Sequence, residues 1–362
     1  MMNMLFGTAG MGAERQAGFV ALEALRRPWV ESFILHEGRT IPRVRTRLLA
    51  ADRLGSLRAR WGIGRMDYAV LPGAYAVGNP SRESPVFVTA NYKMSFDALR
   101  SSLSGIDAWI LVLDTKGINV WCAAGKGTFG TDELVSRLAK TKLMALVSHR
   151  ELILPQLGAS GVSGHEVAKR SGFRVVWGPV RARDIIPWLA AGKTKSDAMK
   201  AVTFTLRERL AVAPIEFART WPLVPLALAL AFVFALPFDA RWLSRAVPVA
   251  ILVAGIGPVG TILFPALLPF LPSRAFSLKG AFLGAAWALA CGLAFGLSPA
   301  LTAGCVLVAT PAVAFLALNF TGSSTYTCQP GALMEVDRGF WPMAGSLTLG
   351  LALAAASRLL GL

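Results

Sequence analysis

The chain has 362 residues, 54% of them hydrophobic and only 16% charged, with a mean hydropathy of +0.53 and a formal net charge of +16. That composition excludes a disordered chain, which would be poor in apolar residues and rich in charge. Three histidines and four scattered cysteines, with no Cys-x-x-Cys or His-x-x-x-His pair, argue against an all-protein metal cluster. Taken alone, the basic balance would point to nucleic acid or an anionic membrane surface.

Residues 1–64 read as an irregular N-terminal extension with helical stretches around 14–27 and 44–54. Residues 1–25 contain no uninterrupted apolar core behind a basic start, so no signal peptide is expected. From 65 to 195 the pattern alternates between short apolar runs and amphipathic stretches. Strands are expected at Val86–Ala90, Ala108–Asp114, Ile118–Trp121, Met144–Ser148, Leu152–Leu154 and Phe173–Trp177. Helices are expected at Ser95–Leu103, Thr131–Ala139, His165–Ser171 and Ala182–Ala190. Buried strands separated by helices predict a Rossmann-like α/β domain. Residues 196–220 read as a linker helix interrupted by Pro214.

Residues 221–362 differ in kind. They hold 6 of the 37 Lys and Arg residues and 3 of the 21 Asp and Glu residues. Five apolar runs, near 221–238, 247–268, 276–297, 299–320 and 342–360, are close to the ~20 residues a bilayer-spanning helix needs. None contains an acidic residue. The expected fold class is therefore an α/β Rossmann-like domain followed by an all-α bundle of about five transmembrane helices. Arg207, Arg209 and Arg219 before the first run support a cytoplasmic side for the basic domain, and the expected location is the inner membrane with that domain in the cytoplasm. The Gly280/Gly284 and Gly292/Gly296 pairs suit close helix packing in lipid, or reflect only how common glycine is there.

Three segments of the α/β domain end predicted strands, where open α/β sheets bind ligands. The first is NVWCAAGKGTFG, Asn119–Gly130, whose small residues after Cys122 would let a bulky ligand approach the backbone. Its Gly125-Lys126-Gly127-Thr128 run lacks the full spacing of a phosphate loop. On residue types alone, an inert packed cysteine competes with a reactive one. The second is VTANYK, in which Thr89 could reach the same cleft or simply serve a turn. The third is PQLGASGV, where Gly158 and Gly161 could admit a ligand's edge or form an ordinary turn. His149 and His165 have no triad-like spacing and read as hydrogen-bonding residues. Outside the domain, the hydroxyl-rich loop Asn319–Cys328 is unusual for a membrane connection, although helix capping would explain it.

The segment NVWCAAGKGTFG resembles the cap-helix signature of the membrane-anchored corrinoid protein of the mercury-methylating pair. That family is itself similar to the corrinoid-binding subunit of the acetyl-CoA-pathway corrinoid iron–sulfur protein. The resemblance extends through SPVFVTANYKMSFDALR, DAWILVLDTKGINVWCAAGKGTFGTDELV, SHRELILPQLGASGVSGHEV and SGFRVVWGPVRARD, and resumes at NFTGSSTYT.

The resemblance implies a cobalamin-type corrinoid bound base-off, with Cys122 as the lower axial ligand of cobalt and the catalytic residue. It implies that Thr89 lines the site and that Val120, Trp121, Ala123, Ala124, Gly125 and Lys126 form the cap. Gly158 and Gly161 would lie at the corrinoid edge. The implied activity is methyl transfer to Hg(II), giving methylmercury. A corrinoid methyl carrier of one-carbon metabolism with another acceptor is the alternative. The four cysteines lack ferredoxin spacing, so no iron–sulfur cluster is expected in this chain. The implied partners are a small ferredoxin-like protein with two [4Fe–4S] clusters, as electron donor, and a methyl donor system. Nucleic acid is then no longer an expected partner.

Overall fold

A computed structural model describes residues 27–36, 39–236, 239–321, 324–326 and 329–360. The chain divides into two compact units: residues 63–203 with everything before Arg60, and residues 204–362 with Arg60–Gly62.

In the first unit, strands β1 (Val30–His36), β2 (Arg39–Val44), β3 (Gly73–Val77), β4 (Val86–Ala90), β5 (Ala108–Leu113), β6 (Glu151–Leu154) and β7 (Arg174–Trp177) form one sheet. Its order is β1-β2-β3-β5-β4-β6-β7. Pairing is antiparallel for β1/β2 and β3/β5, and parallel for β5/β4, β4/β6 and β6/β7. Every residue of β4 and β5 is buried, as expected of parallel strands covered on both faces.

Helices α1 (Ala50–Arg60), α2 (Lys93–Ser102), α3 (Val120–Gly125), α4 (Thr131–Thr141), α5 (Leu143–Leu146), α6 (Gly164–Ser171), α7 (Ile185–Ala190) and α8 (Asp197–Lys200) complete the unit. One sheet face packs Phe87, Ile110 and Val112 against Phe96, Leu99 and Leu103 of α2 and Trp188 of α7. The other packs Val88, Ala90 and Leu111 against Ala123 and Ala124 of α3, Leu134 and Leu138 of α4 and Val167 of α6. The chain runs from β4 to β5 on one side, then crosses back past β4 to β6. This reversal of strand order marks the crevice where such sheets bind ligands.

Several expectations change. Ile118–Trp121 is not a strand: the Asn119 carboxamide accepts from the Cys122 N–H at 2.9 Å and starts α3 at Val120. Met144–Ser148 is not a strand either, because Lys142 turns left-handed (φ 47°) and opens the short α5. The expected helix over 44–54 gives way to the end of β2 and then α1. The stretch 14–27 lies outside the described residues, apart from Arg27. The linker is three short helices, and Pro214 sits in the first turn of the last, where its missing N–H costs no helical hydrogen bond.

A buried ionic quartet clamps α1 to α2. Lys93 Nζ lies 2.7 Å from Asp52 Oδ1 and 2.6 Å from Asp97 Oδ1, while Arg100 reaches Asp52 Oδ2 at 2.8 Å and Asp97 Oδ1 at 2.7 Å. Arg100 also donates to the Arg45 carbonyl, and Lys93 lies over the Trp29 ring at 5.4 Å. Burial alone would raise the pKa of Asp52, but the Lys93 ammonium, the Leu49 N–H and Arg100 outweigh it and hold it below 3.8.

The second unit contains α9 (Leu206–Leu210), α10 (Ala213–Arg219), α11 (Leu223–Ala235), α12 (Trp242–Pro258), α13 (Phe264–Leu267), α14 (Phe276–Ala294), α15 (Pro299–Leu318) and α16 (Gln329–Leu360). A π-helical turn, Val259–Leu263, joins α12 to α13. Among the described residues, four helices are long and apolar enough to cross a membrane, or five if the bent pair Leu206–Arg219 and Leu223–Ala235 is one span. A Cβ on Gly280 or Gly284 would run into the backbone of α15, within 2.8 Å of Ala314 Cα and 2.9 Å of Thr310 Cα respectively, so both glycines set that close approach. Gly292 packs on Thr302 of α15, whereas Gly296 (φ 59°) ends α14 in the left-handed conformation.

The quartet makes a specific prediction. Asp52→Asn leaves buried cations under-compensated and is expected to cost the first unit about 3–5 kcal/mol at pH 7. Because the folded-state pKa of Asp52 is depressed, its stabilisation is present above the unfolded value and lost as pH falls through the folded one. Urea unfolding should therefore show the gap between wild type and Asp52→Asn narrowing below about pH 4.

Candidate functional site

Three loops meet at the carboxyl ends of the parallel strands, and hydrogen bonds from buried polar residues fix their geometry. Asn91, directly after β4, presents Oδ1 to the Thr115 N–H at 3.1 Å and to the Gly117 N–H at 2.9 Å. Thr115 Oγ1 lies 2.8 Å from the same oxygen and 2.6 Å from the Ile118 carbonyl, so its single proton serves one of the two. Asn91 is 5% exposed and Thr115 fully buried. The loop turns at Lys116 (φ 58°) and Gly117 (φ 71°), where a Cβ on Gly117 would meet the Met66 carbonyl at 3.0 Å. At its far end Asn119 caps α3.

The short helix α3 is held from below. Val120, Ala123 and Ala124, at i, i+3 and i+4, are buried in the core. Trp121 and Cys122 are half-buried on the other side, and Gly125, Lys126 and Gly127 are exposed. Cys122 is a free thiol. Gly127 (φ 78°) lets the chain reverse so that the Thr128 and Phe129 N–H groups both donate to the Ala123 carbonyl, at 2.9 and 3.1 Å. Phe129 is thereby driven into the core, fully buried.

The loop after β6 closes the far side. A Cβ on Gly158 would meet the Phe129 ring at 2.5 Å, and one on Gly161 would meet Ala124 Cα at 2.9 Å. The structure thus uses both glycines to let this loop close on Phe129 and α3. Open space lies instead at Gly125 and Gly127, where an added Cβ meets nothing within 4 Å.

Thr89 is 3% exposed and pairs with Val112, which places it on the α2 face of the sheet. The α3 helix packs on the opposite face. The structure therefore groups Trp121, Cys122, Gly125 and Lys126 on one outer surface, and sets Thr89 on the other side of β4. Two residues the motif reading passed over, Asn91 and Thr115, are the ones that position α3. Their signal was a pair of buried-type polar residues immediately after apolar runs.

Around this core, Glu133 of α4 accepts from the Asp114 N–H at 2.8 Å and from Arg137, tying α4 to the end of β5. Asp114 is partly buried, which alone would raise its pKa. The Lys116 ammonium at 2.6 Å and the Lys116 N–H outweigh that and hold it lowered. His149 accepts from the Glu151 N–H through Nδ1, so its Nε2 donates to the Ser84 carbonyl at 2.9 Å, a hydrogen-bonding role. Among the described residues, no group of three or more His, Cys, Asp or Glu side chains could hold a metal ion. Cys328 lies outside the described residues.

Residues 64–189 match a family model described as CO dehydrogenase/acetyl-CoA synthase delta subunit. The gamma subunit of the acetyl-CoA decarbonylase/synthase complex of Archaeoglobus fulgidus is 32% identical over 127 residues, 34% of this chain and 27% of that protein. The corresponding subunit of Methanocaldococcus jannaschii is 32% identical over 116 residues, covering 32% of this chain and 23% of that protein. That of Methanopyrus kandleri is 33% identical over 111 residues, covering 30% and 24%. The α/β segment is therefore related to acetyl-CoA decarbonylase/synthase subunits, while the chain spans about a quarter of the length of these relatives. The apolar helices of the second unit lie outside the family match.

Two glycine substitutions separate packing from open surface. Gly161→Ala is expected to destabilise the first unit by about 1–3 kcal/mol, because Ala124 must move. Gly125→Ala should be neutral or slightly stabilising, since alanine is the better helix former by up to about 1 kcal/mol. Thermal unfolding of the two variants beside wild type checks both.

Proposed function

We propose that this chain is a corrinoid-dependent methyltransferase that transfers a methyl group to Hg(II), forming methylmercury. The observation that carries this reading is the free, half-buried Cys122 on the outer side of α3, at the carboxyl ends of the parallel strands. It sits inside the segment related to the decarbonylase/synthase subunits. The residues present fit a corrinoid: a soft sulfur donor on a rigidly capped helix, flanked by exposed Gly125 and Gly127 with open space beside them.

When bound, a corrinoid would supply the methyl group as a carbanion equivalent, with Hg(II) as the acceptor and CH3Hg+ as the product. Cys122 would be the residue that holds the corrinoid's cobalt, and its soft, electron-donating sulfur would favour transfer of the methyl group with carbanion character. Trp121, Gly125 and Lys126 would contact the cofactor from the outer side of α3. Val120, Ala123 and Ala124 would hold the helix to the core, and Gly158 and Gly161 would keep it seated. Asn91, Thr115 and Asn119 would keep the thiol from shifting, which matters because small displacements of a reacting group cost rate steeply. Thr89 would act from across β4, at the strand end.

Electrons and a fresh methyl group must come from outside. We assign the first role to a small ferredoxin-like protein with two [4Fe–4S] clusters and the second to a methyl donor system. The apolar helices of the second unit support an inner-membrane location with the α/β unit in the cytoplasm. The names of the relatives favour a second reading, a methyl carrier of one-carbon metabolism. The acceptor separates the two readings.

The test is methylmercury formation by the full chain, loaded with corrinoid and supplied with a methyl donor, a reductant and Hg(II). Wild type should form methylmercury and Cys122→Ala should fall to background while remaining folded. Methyl transfer to a one-carbon acceptor with none to Hg(II) would establish the second reading instead.

A further inference from the structure

Within the second unit, α14 and α15 form an antiparallel hairpin whose seam carries two cysteines. On α14 the buried residues Gly280, Gly284, Ala288 and Cys291 recur every three or four positions and so line one face. On α15 the buried residues Cys305, Ala309, Val313 and Ala317 recur every four. Two contacts fix the register. A Cβ on Gly284 would run into the Ala309 backbone, and one on Gly292 into the Thr302 side chain. Cys291 lies between those contacts on α14, and Cys305 lies between them on α15. Both are free thiols of one buried cluster, 4% and 6% exposed. They are near enough for charge on Cys291 to be felt at Cys305.

The surroundings select what two such thiols can hold. Neither helix contains an acid. Their single cation, Lys279, is three turns from Cys291 and donates to the Leu268 carbonyl. Among the described residues, no third His, Cys, Asp or Glu completes a larger ligand set. Zinc, which takes four ligands, and the hard cations, which take oxygen, do not fit. A soft monovalent ion such as Cu(I) would bind both sulfurs but leave a net negative charge in an apolar core, which is costly. A soft divalent ion satisfied by two sulfurs in a line leaves no charge. Hg(II) is such an ion.

We propose that Cys291 and Cys305 form a two-coordinate Hg(II) site between α14 and α15. Hg(II) arrives as a neutral complex with two small ligands, chloride or a thiol. Each cysteine sulfur displaces one ligand and passes its proton to it, so two Hg–S bonds form as two bonds to the old ligands break. No oxidant is needed, and no net charge enters the core. Cys291 is one turn from the end of α14 and Cys305 fewer than two from the start of α15, so the site lies close to the turn that joins them. Used with the activity proposed above, the site holds Hg(II) on the chain before methyl transfer. That use rests on the mercury reading; the binding does not.

The experiment uses the full chain in detergent micelles, carrying Cys122→Ala and Cys328→Ala. These changes leave only the two helix cysteines and remove the proposed cobalt ligand. HgCl2 is added in thiol-free buffer, the protein is desalted, and mercury is counted per chain and examined by X-ray absorption at the mercury edge. One Hg(II) per chain with two sulfur neighbours is the expected result. Adding Cys291→Ala or Cys305→Ala should lower retained mercury to the level of the cysteine-free chain, with the helical circular dichroism unchanged. A single sulfur neighbour, half a mercury per chain from a bridge between two copies, or no more mercury than the cysteine-free chain retains overturns the proposal. The absorption result on the two-cysteine chain stands without the added variants, so it decides even where one of them misfolds. Methylmercury formation by the wild type is read separately. If the pair binds Hg(II) and the wild type forms none, the site stands and its use falls; if the wild type forms methylmercury and the pair binds nothing, the site alone falls.

Discussion

One side-chain oxygen organises the site. Asn91 Oδ1 takes the Thr115 and Gly117 N–H groups, with the Thr115 hydroxyl at hydrogen-bonding distance, and so binds the end of β4 to the loop leaving β5. Both loops sit beside the reversal of strand order, and α3 with Cys122 begins where the second loop ends. Because Asn91 and Thr115 are buried, losing this contact would leave buried polar groups unpaired, which favours the one loop geometry. The same VTANYK segment supplies Lys93 to the quartet two residues later. A six-residue stretch thus ties the sheet to the candidate site on one side and to α1 on the other.

Much of this architecture was legible. VFVTA and AWILVL are unbroken apolar runs, and they are the fully buried parallel strands. The cysteine motif was legible as an unusual stretch at a strand end. INVW misled because its β-branched and aromatic residues favour a strand, while the Asn119 cap decides the matter locally. Strands β1 and β2 were hidden by charge: Arg39 and Arg43 interrupt the second, and Glu31 the first. β3 (GAYAV) was hidden by small residues. What lies against Gly158 and Gly161 is not readable from a sequence; Phe129 and Ala124 take that place. The quartet left one trace, Lys93, Asp97 and Arg100 on one helical face, but Asp52 lies too far away in sequence to be paired by inspection.

In the second unit several buried polar groups find partners within the chain. Pro311 in α15 leaves the Leu307 carbonyl without its usual donor, and Ser346 of α16 donates to that oxygen at 2.8 Å. Arg209 donates to the Pro265 and Ala266 carbonyls and Lys279 to that of Leu268, so two buried cations satisfy the end of α13. Polar groups answered within the helices are what a hydrocarbon surrounding demands. The charge and the hydropathy that open the sequence thus belong mainly to different units.

The proposed activity depends on sulfur meeting cobalt at Cys122. The direct measurement is X-ray absorption at the cobalt edge, with visible spectra, on corrinoid-loaded full chain and on Cys122→Ala. The wild type should show a cobalt–sulfur distance component and a thiolate-dependent band, both lost in the variant while corrinoid stays bound. A cobalt environment that is the same in the two proteins would contradict it.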